Sequence, residues 1–325
     1  MNRPLRVLEL FSGIGGCAAA LQPACAEGTA EVVAAVEISP LGRLAYEANF
    51  SHPVFGDNLE FVSQEKLRAW AADLWWMSPP CQPYTRRGHR RDEEDPRSRP
   101  LFALLAHFLE IQPRYLAIEN VPGFAQSRSL QKLRKGLSDS GYRIQDALLC
   151  PSELGIPNRR RRFFLLASRP TGETGPTLPL ETKKAPPWPL SRYLDSNPAQ
   201  DLYLASSIHQ RYTEALHIVE PKSPGALSAC FTSAYGRSFV RSGSYLMDDE
   251  GIRRFSPAEI LRLLGYPSTY HLPEPLSREQ AWRLVGNSLS IPVVRRVLSA
   301  LPELRDCLGH GLSEPGLPMP EGLPG

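Results

Sequence analysis

Cys81 is the residue whose setting most clearly indicates chemistry. It lies in the sequence SPPCQP (residues 78–83), directly after an apolar run at 72–77. The three prolines fix the backbone on both sides of the thiol, and a loop at the carboxyl edge of a parallel sheet faces the ligand crevice. A cysteine taken at random is most often a buried structural residue, but such a residue does not need so rigid and exposed a loop. We therefore predict a functional thiol at Cys81.

An acid and a pair of arginines follow at positions where they could reach that thiol. Glu119 ends an apolar run, again at the carboxyl edge of the predicted sheet. Burial there would raise its pKa and let it act as a proton donor, whereas the alternative is a helix cap or a surface acid. Alternate side chains of an extended segment share a face, so Arg160 and Arg162 point to one side. Their neighbours Arg159 and Arg161 point to the other, and we expect one face to enter the site and the other to meet phosphate.

A glycine turn after the first apolar run indicates a site for an adenosine cofactor. The sequence FSGIGG (residues 11–16) lets the backbone approach a ligand and opens a helix towards it. Glu37 ends the second run, where a carboxylate can bind both hydroxyls of a ribose. The glycine spacing alone also fits a dinucleotide. An aromatic ring at Phe11 for the adenine and a carboxylate at Asp57 for its amine favour S-adenosylmethionine.

The elements that must position these residues are strands and helices in alternation. Strands are predicted over six apolar runs, at residues 5–11, 31–37, 72–77, 115–121, 142–150 and 163–168. Helices are predicted at 40–50 and 99–111, and later in the chain after a capping box at 256–259 and at 292–301. Runs that are apolar on both faces are typical of a covered parallel sheet. We therefore predict a doubly wound α/β domain with a mostly parallel, Rossmann-like sheet, whose last two strands pair antiparallel at the edge because no helix fits between them.

The periodicity fails after about residue 169, where Pro, Thr and Gly are frequent. We assign residues 1–182 and 251–304 to the cofactor-dependent catalytic domain, and residues 183–250 to a small second domain. Residues 305–325 are rich in Gly and Pro, and we expect them to form a flexible tail.

Charge and cysteine usage restrict the class of protein loosely. The net charge is only +3, and the six cysteines are scattered without a C-x-x-C pair, so we predict neither a metal site nor a redox site. No apolar run approaches the roughly 20 residues of a membrane helix, and no signal-peptide pattern is present. We therefore expect a soluble, cytoplasmic protein without a membrane partner, and take a monomer as the default.

The ordered set of motifs resembles the cytosine-5 methyltransferase family. Over most of the chain the set comprises FSGIGG, PCQ at 80–82, ENV at 119–121, RxR at 160–162 and GNS at 286–288. The resemblance implies S-adenosylmethionine as methyl donor and S-adenosylhomocysteine as product. It also implies that Cys81 adds to C6 of a cytosine and that Glu119 hydrogen-bonds or protonates N3. The base must leave its stack to meet the thiol.

The implied site has three groups of residues. The catalytic residues are Cys81, Glu119, Arg160 and Arg162, the two arginines binding the base and supporting the Cys81 loop. The cofactor-binding residues are Phe11, Ser12, Gly13, Gly15, Gly16, Glu37, Ile38, Asp57, Asn58, Pro80, Asn287 and Ser288, of which the last two are expected to close over the cofactor. The substrate-binding residues are Gln82, Arg86, Asn120, Cys230, Phe231 and Thr232, and the small second domain is expected to recognise the target.

Further segments resemble the branch of the family that methylates transfer RNA, usually at cytosine 38 in the anticodon loop of aspartate tRNA. The general family pattern has glutamine where this chain has Asn158. The tripeptide CFT at 230–232 and the sequence SPPCQPYTR at 78–86 are similar to that branch, although a buried thiol on a short strand is the structural alternative for Cys230. The second domain is small for a reader of duplex DNA, and an anticodon loop presents its base unpaired. We therefore expect tRNA as the partner.

Three alternatives stay open at this point. A DNA cytosine-5 methyltransferase, of a restriction–modification system or an orphan, would share the motifs. A catalytically silent nucleic-acid-binding homologue is disfavoured by the intact Cys81 and Glu119. A nicotinamide dehydrogenase would account for the glycine turn but leaves the PCQ and ENV motifs unexplained.

Overall fold

The computed structural model describes residues 3–84, 92–169 and 186–309. The chain divides into two compact units, each built from segments that are distant in sequence. The first unit comprises Met1–Leu149, Arg161–Glu181 and Val294–Gly311, and the second comprises Cys150–Arg160, Thr182–Val293 and Leu312–Gly325. Residues 251–293, which we assigned to the catalytic domain, thus group with the second unit. The functional division into domains stays a prediction.

Strands and helices alternate through the first half of the chain. Within the described residues the strands are β1 (Leu5–Leu10), β2 (Ala30–Val36), β3 (Val54–Phe55), β4 (Leu74–Met77), β5 (Tyr115–Asn120), β6 (Arg143–Leu149), β7 (Arg162–Ser168), β8 (His217–Val219), β9 (Ser244–Asp248) and β10 (Gly251–Arg254). The helices are α1 (Gly16–Ala26), α2 (Pro40–Glu47), α3 (Gln64–Ala69), α4 (Arg99–Ile111), α5 (Arg128–Asp139), α6 (Ser206–Tyr212), α7 (Pro257–Leu264), α8 (Arg278–Asn287), α9 (Ile291–Leu298) and α10 (Arg305–Gly309).

The first unit is built on a seven-stranded sheet with the order β3-β2-β1-β4-β5-β7-β6. β1 pairs parallel with β2 and β4, and β4 pairs parallel with β5. β7 runs antiparallel to both of its neighbours, β5 and β6. The predicted doubly wound α/β sheet is confirmed, with the last two strands pairing antiparallel at its end. The edge strand itself is β6, and β7, whose direction is reversed, lies one position inside it.

The strand order reverses between β1 and β4, and the functional loops leave the sheet at that point. Leu10 is in register with Met77, and Met77 is in register with Ile118. The loops that follow β1, β4 and β5 therefore begin at one level of the sheet. In open α/β sheets such a reversal makes a crevice at the carboxyl ends of the strands, where ligands bind.

Two adjacent tryptophans on β4 are packed on opposite faces of the sheet. Because side chains alternate along a strand, Trp75 and Trp76 face opposite sides of the sheet, and both are fully buried. The Trp75 ring packs edge-on against Phe108 of α4, with ring centroids 5.5 Å apart. On the other face, Trp76 lies 6.4 Å from Phe164 of β7. Burial of each such side chain contributes about 2 kcal/mol or more to stability.

The second unit contains a smaller sheet with the order β10-β9-β8. β9 pairs parallel with β8 and antiparallel with β10. The predicted capping box begins α7: the Ser256 hydroxyl accepts from Glu259 N–H over 3.1 Å, and the Glu259 carboxylate accepts from Ser256 N–H over 2.7 Å. The same carboxylate forms a buried ion pair with Arg253 at 2.9 Å. Local sequence thus begins α7, and a long side chain of β10 fixes it to the sheet.

The first five residues of the predicted tail form a short helix. Residues 305–309 form α10, on which Leu308 is buried, and Cys307 Sγ lies 3.5 Å from Thr29 Oγ1 in the turn that follows α1. Packing against the first unit therefore orders a segment whose composition indicates flexibility. The remaining tail residues, 310–325, lie outside the described residues. In the part of the chain that the structure describes, no helix is both long and apolar enough to cross a membrane.

Candidate functional site

Cys81 lies in a tight turn immediately after β4. A short 3-10 helix, Gln82–Tyr84, follows it, and Tyr84 N–H donates to Cys81 O over 3.0 Å. The thiol is half-buried and Gln82 is exposed. A Cβ on Gly123 would lie 2.2 Å from Tyr84 O, so a glycine is required where the turn after β5 meets the Cys81 turn. Arg86, a predicted substrate-binding residue, lies outside the described residues.

Asn120 supports this turn from the neighbouring strand. It is buried, and its Nδ2 donates to Pro79 O over 3.1 Å, while its Oδ1 accepts from Val121 N–H over 2.8 Å. Both ends of the amide are thus engaged with backbone. The structure places Asn120 beneath the loop that contains Pro80 and Cys81, where it supports the backbone. The substrate-binding role assigned to Asn120 from the sequence stays a prediction.

Glu119 and Arg162 form an ion pair at the carboxyl edge of the sheet. Arg162 Nε lies 3.2 Å from Glu119 Oε1, and the two side chains are only 17% and 10% exposed. Glu119 follows Ile118, which is in register with Met77 at the end of β4. Glu119 is therefore the penultimate residue of the strand next to the one that leads into Cys81, at the edge that the topology predicted.

Arg160 is buried but has a different environment from Arg162. Its Nη1 donates to Phe231 O over 3.0 Å and contacts Cys230 Sγ at 3.4 Å. Its Nη2 donates to Gly286 O over 3.3 Å and to Ser288 O. The alternation is confirmed, since Arg159 and Arg161 are exposed. The guanidinium of Arg160 joins two backbone segments of the second unit, and the contact with the base that the family resemblance implies stays a prediction.

The other predicted residues of the second unit differ in burial, and Phe231 and Ser288 are buried in its interior. Phe231 is buried, and its ring packs on Tyr235 and Phe255 with centroids 5.0 and 4.9 Å away. A Cβ on Gly286 would lie 2.4 Å from the carbonyl of Thr232, so the GNS motif depends on a close approach of two backbones. Asn158, which is also buried, donates from Nδ2 to Ser228 Oγ over 2.8 Å. The hydroxyl of Ser288 is bonded to Tyr266, and Asn287 is exposed.

The loop after β1 is shaped by left-handed backbone positions. Phe11, Gly13 and Gly15 have φ values of 56°, 56° and 83°. A Cβ on Gly15 would lie 2.3 Å from a ring carbon of Phe50, whereas one on Gly13 would meet nothing within 4 Å. Packing therefore requires glycine at Gly15, while the surface at Gly13 is open. Gly16 is the first residue of α1.

Glu37 closes this loop from the end of β2. Its Oε2 accepts from Gly13 N–H and its Oε1 accepts from Ser39 N–H, both over 2.8 Å. Ser12 is buried, and its hydroxyl has no hydrogen-bond partner among the described residues. Because buried polar groups are almost always satisfied, this hydroxyl indicates a ligand atom. The unpartnered hydroxyl, the carboxylate and the open face at Gly13 fit the predicted adenosine cofactor.

The residues predicted to contact adenine differ in whether their side chains are already bonded to other residues of the protein. Ile38 is 62% exposed and offers an apolar surface. Both oxygens of Asp57 accept from Lys66 Nζ, over 2.9 and 2.7 Å. Asn58 Oδ1 accepts from Glu60 N–H over 3.0 Å and so stabilises a turn. Asp57 would have to share its charge with Lys66 in order to bind an amine.

Glu9, which sequence reasoning missed, caps α1 from within the sheet. Its Oε1 accepts from Cys17 N–H over 2.9 Å, and its Oε2 accepts from Ala18 N–H over 3.2 Å and from the Tyr46 hydroxyl over 2.8 Å. It replaces a side-chain cap, which Gly15 at the N-cap position lacks. Burial raises the pKa of Glu9 to about 7, because burial disfavours the charged form. The available signal was a single acid inside an apolar strand.

Arg97 is a second residue that sequence reasoning missed. Its Nε and Nη2 donate to the two oxygens of Asp95 over 2.8 and 2.6 Å. The pKa of Arg97 is raised, first by this hydrogen bond and in smaller part by the charge of Cys81. Since the attraction is mutual, the guanidinium also attracts a Cys81 thiolate. Nothing in the local pattern distinguishes Arg97 from the other arginines around it.

Among the described residues, no group of His, Cys, Asp and Glu could hold a metal ion.

Comparison with known proteins places this geometry in a family. The family model for C-5 cytosine-specific DNA methylases matches residues 5–189 and 205–303. The chain is 30% identical to the tRNA (cytosine(38)-C(5))-methyltransferase of Bos taurus, over 92% of this chain and 99% of that protein. It is 28% identical to the DNA (cytosine-5)-methyltransferase of Dictyostelium discoideum, over 91% of this chain and 94% of that protein.

A solved structure supports the same assignment. The crystal structure of S. pombe Dnmt2 methyltransferase superposes with a TM-score of 0.78 at 30% identity, covering 91% of this chain and 97% of the other. The family model matches most of the chain, and the matched residues include the strands of the first unit and the loops at their carboxyl ends. The chain belongs to the C-5 cytosine-specific DNA methylase family.

Proposed function

We propose that this protein transfers a methyl group from S-adenosylmethionine to C5 of cytosine 38 in the anticodon loop of a tRNA. The chemistry follows from membership of the family, whose general mechanism is a covalent cysteine–C6 adduct. The observation that carries the proposal is the ion pair of Glu119 with Arg162, in which Glu119 lies on β5, next to the strand that leads into the Cys81 turn. An acid of fixed orientation and a thiol at one sheet edge are what addition to a pyrimidine ring needs.

Cys81 and Glu119 would act together on the flipped base. The Cys81 thiolate adds to C6 while Glu119 hydrogen-bonds or protonates N3, so the displaced electrons make C5 nucleophilic. A bound S-adenosylmethionine would supply its methyl carbon to C5 and would leave as S-adenosylhomocysteine. Loss of the C5 proton to a base allows elimination, which restores the Cys81 thiolate and the aromatic ring. Arg162 would fix the carboxyl group of Glu119 throughout.

The cofactor would be held by the loop after β1. S-adenosylmethionine supplies an electrophilic methyl group, and S-adenosylhomocysteine is the product. Glu37 and the Ser12 hydroxyl would bind its polar groups. Phe11 and Ile38 would provide apolar contact. Asp57 and Asn58, which belong to the same unit, would complete the site. The contributions of Pro80, Asn287 and Ser288 rest on the family resemblance.

The choice of tRNA is supported by relatives and by the second unit. A protein named as a tRNA (cytosine(38)-C(5))-methyltransferase aligns over nearly its whole length. Residues 230–232 are anchored there through Arg160, and Asn158 bonds to the neighbouring Ser228. Exposed Arg159 and Arg161 would meet phosphate. Gln82 and Arg86 follow Cys81 in the sequence and would contact nucleotides around the target base. We also propose that the protein acts as a monomer in the cytoplasm.

DNA is the second candidate substrate, because one relative is named as a DNA (cytosine-5)-methyltransferase. Tritiated S-adenosylmethionine should label total tRNA, and bisulfite sequencing should place the new methyl group at cytosine 38. The Cys81→Ala variant, which should retain cofactor binding, is the control for background label. Label that enters double-stranded DNA and leaves tRNA unlabelled would overturn the tRNA assignment.

A further inference from the structure

A buried serine on α5 lies between the two segments that border the Cys81 site. Ser129 is fully buried, and its Oγ accepts from the Tyr84 hydroxyl over 3.1 Å. The Ser129 hydroxyl in turn donates to Asp92 Oδ1 over 2.6 Å. Tyr84 closes the turn that begins at Cys81, since its N–H donates to Cys81 O over 3.0 Å. One hydroxyl group thus connects that turn with Asp92.

Asp92 is held firmly at the other end of this connection. Its carboxylate accepts from Arg128 N–H over 2.6 Å and from Ser129 N–H over 3.0 Å, at the first turn of α5. A negative charge is stabilised at that end of a helix. Its backbone has a φ of 53°, a left-handed conformation that costs free energy and persists only where surrounding contacts determine it. The position of Asp92 is therefore fixed by α5.

The connection continues from Asp92 back to the thiol. Asp92 O accepts from Asp95 N–H over 3.2 Å, and the buried Asp95 carboxylate holds the Arg97 guanidinium through two hydrogen bonds. The charge of Arg97 interacts in turn with that of Cys81. Hydrogen bonds thus run in series from the Cys81 turn through Ser129 and Asp92 to the segment that carries Arg97.

We propose that Ser129 is a positioning residue for Cys81, whose hydroxyl holds both the turn that carries the thiol and the segment that carries Arg97. Hydrogen bonds in series strengthen each other, and this series ends on a carboxylate. Burial raises the pKa of Tyr84 to about 12, so its hydroxyl stays a donor throughout the working range of pH. The inference rests on the proposed role of Cys81 as nucleophile.

Ser127 provides a matched control on the same helix. It is a buried N-cap residue of α5, whose hydroxyl accepts from Leu130 N–H over 3.0 Å and donates to Phe124 O over 2.7 Å. Ser127→Ala removes a helix cap and destabilises α5. It leaves the Tyr84–Ser129–Asp92 contacts in place. A purely structural role for Ser129 predicts equal behaviour of Ser127→Ala and Ser129→Ala.

The experiment measures thiol reactivity and turnover separately. Alkylation of Cys81 by iodoacetamide, resolved from the other cysteines by peptide mass spectrometry, is followed from pH 6 to pH 10 without substrate. In Ser129→Ala and Tyr84→Phe we expect the midpoint of the Cys81 profile to move to higher pH, because the segment that carries the positive charge of Arg97 is no longer fixed relative to the Cys81 turn. We expect kcat on tRNA to fall between about 3-fold and 10-fold, with the Kd for S-adenosylhomocysteine within about 2-fold of the parent's. Ser129→Thr should restore both properties.

Each outcome decides one question. An unshifted Cys81 profile in both Ser129→Ala and Tyr84→Phe, or the same shift in Ser127→Ala, would overturn the positioning role. Should Ser129→Ala fail to fold, Tyr84→Phe decides, since it keeps the ring that packs on Phe124 and loses only the hydroxyl. Failure of the parent protein to methylate any nucleic acid would refute the proposed function. The alkylation profile would still test whether Ser129 positions Cys81.

Discussion

Arg162 and Glu119 are joined by an ion pair between β7 and β5, with Nε 3.2 Å from Oε1. Glu119 is in register with Phe164, so the arginine reaches the acid diagonally from the first residue of β7. The side chain of Arg162 thereby fixes which way the carboxyl group faces, at the edge where Cys81 lies. The pair provides an acid of defined direction at the proposed site.

Removal of Arg162 should therefore disable the acid. We expect Arg162→Ala to lower kcat/KM by about 100-fold or more, because a misdirected general acid loses most of its contribution, and to destabilise the protein by about 3 kcal/mol. Steady-state kinetics and urea unfolding measure the two effects. Arg161→Ala, at an exposed neighbour, should change the free energy of unfolding by less than about 0.5 kcal/mol. Turnover by Arg162→Ala at the parent's rate would contradict the assignment.

Glu37 should be the main polar contact for the cofactor. Glu37→Gln removes the charge that holds Gly13 and that would bind a ribose, so we expect the Kd for S-adenosylmethionine to rise between about 10-fold and 100-fold. Isothermal titration calorimetry without nucleic acid gives this value directly. Glu47→Gln, an exposed change on α2, serves as the control. Equal affinity of the two variants would exclude Glu37 from the cofactor site.

Glu9 should make stability depend on pH. Its pKa of about 7 in the folded protein is above the value near 4.3 expected in an unfolded chain, so its contribution to stability is greatest below pH 4. That contribution declines as pH rises towards 7, by up to about 3 kcal/mol. Glu9→Gln stays neutral, so its stability relative to the parent should increase between pH 5 and pH 8.

His52 opposes Glu9 in the parent, and the comparison at each pH removes its effect. Burial lowers the pKa of His52 to about 4, so its contribution is present above pH 6.5 and is lost as pH falls towards 4. Because both proteins contain His52, the difference between their free energies of unfolding reports Glu9. A difference that stays constant from pH 5 to pH 8 would show that Glu9 does not titrate in this range.

Gly286 should tolerate no side chain. A Cβ there would lie 2.4 Å from the Thr232 carbonyl, and the backbone cannot yield as a flexible side chain can, so we expect Gly286→Ala to cost about 2 kcal/mol in urea unfolding. It should also disturb Arg160, whose Nη2 bonds to Gly286 O. Gly56→Ala meets only the end of the Arg43 side chain and should cost far less. Equal stability of the two variants would contradict the predicted close contact.

Local pattern was enough to predict the sheet, the capping box of α7, and the edge at which Cys81 and Glu119 lie. Each depends on periodicity or spacing within a few residues. The partners of Arg160, more than 70 residues away for Phe231 and Gly286, could not be inferred, because a contact of that range is set by how whole elements pack. Ser129 was missed for the same reason, since its partners Tyr84 and Asp92 are 45 and 37 residues away. Residues 305–309 were assigned to a tail because composition does not report the surface on which α10 packs.

In the proposed reaction Cys81 forms a covalent bond to the target base. A tRNA that carries 5-fluorocytidine at position 38 should trap that bond, because fluorine at C5 cannot leave as a proton does and elimination is blocked. With S-adenosylmethionine present, we predict a stable protein–tRNA complex whose linkage maps by peptide mass spectrometry to Cys81, and no such complex with Cys81→Ala. A linkage at another cysteine, or turnover of normal tRNA without any trapped complex, would contradict the account.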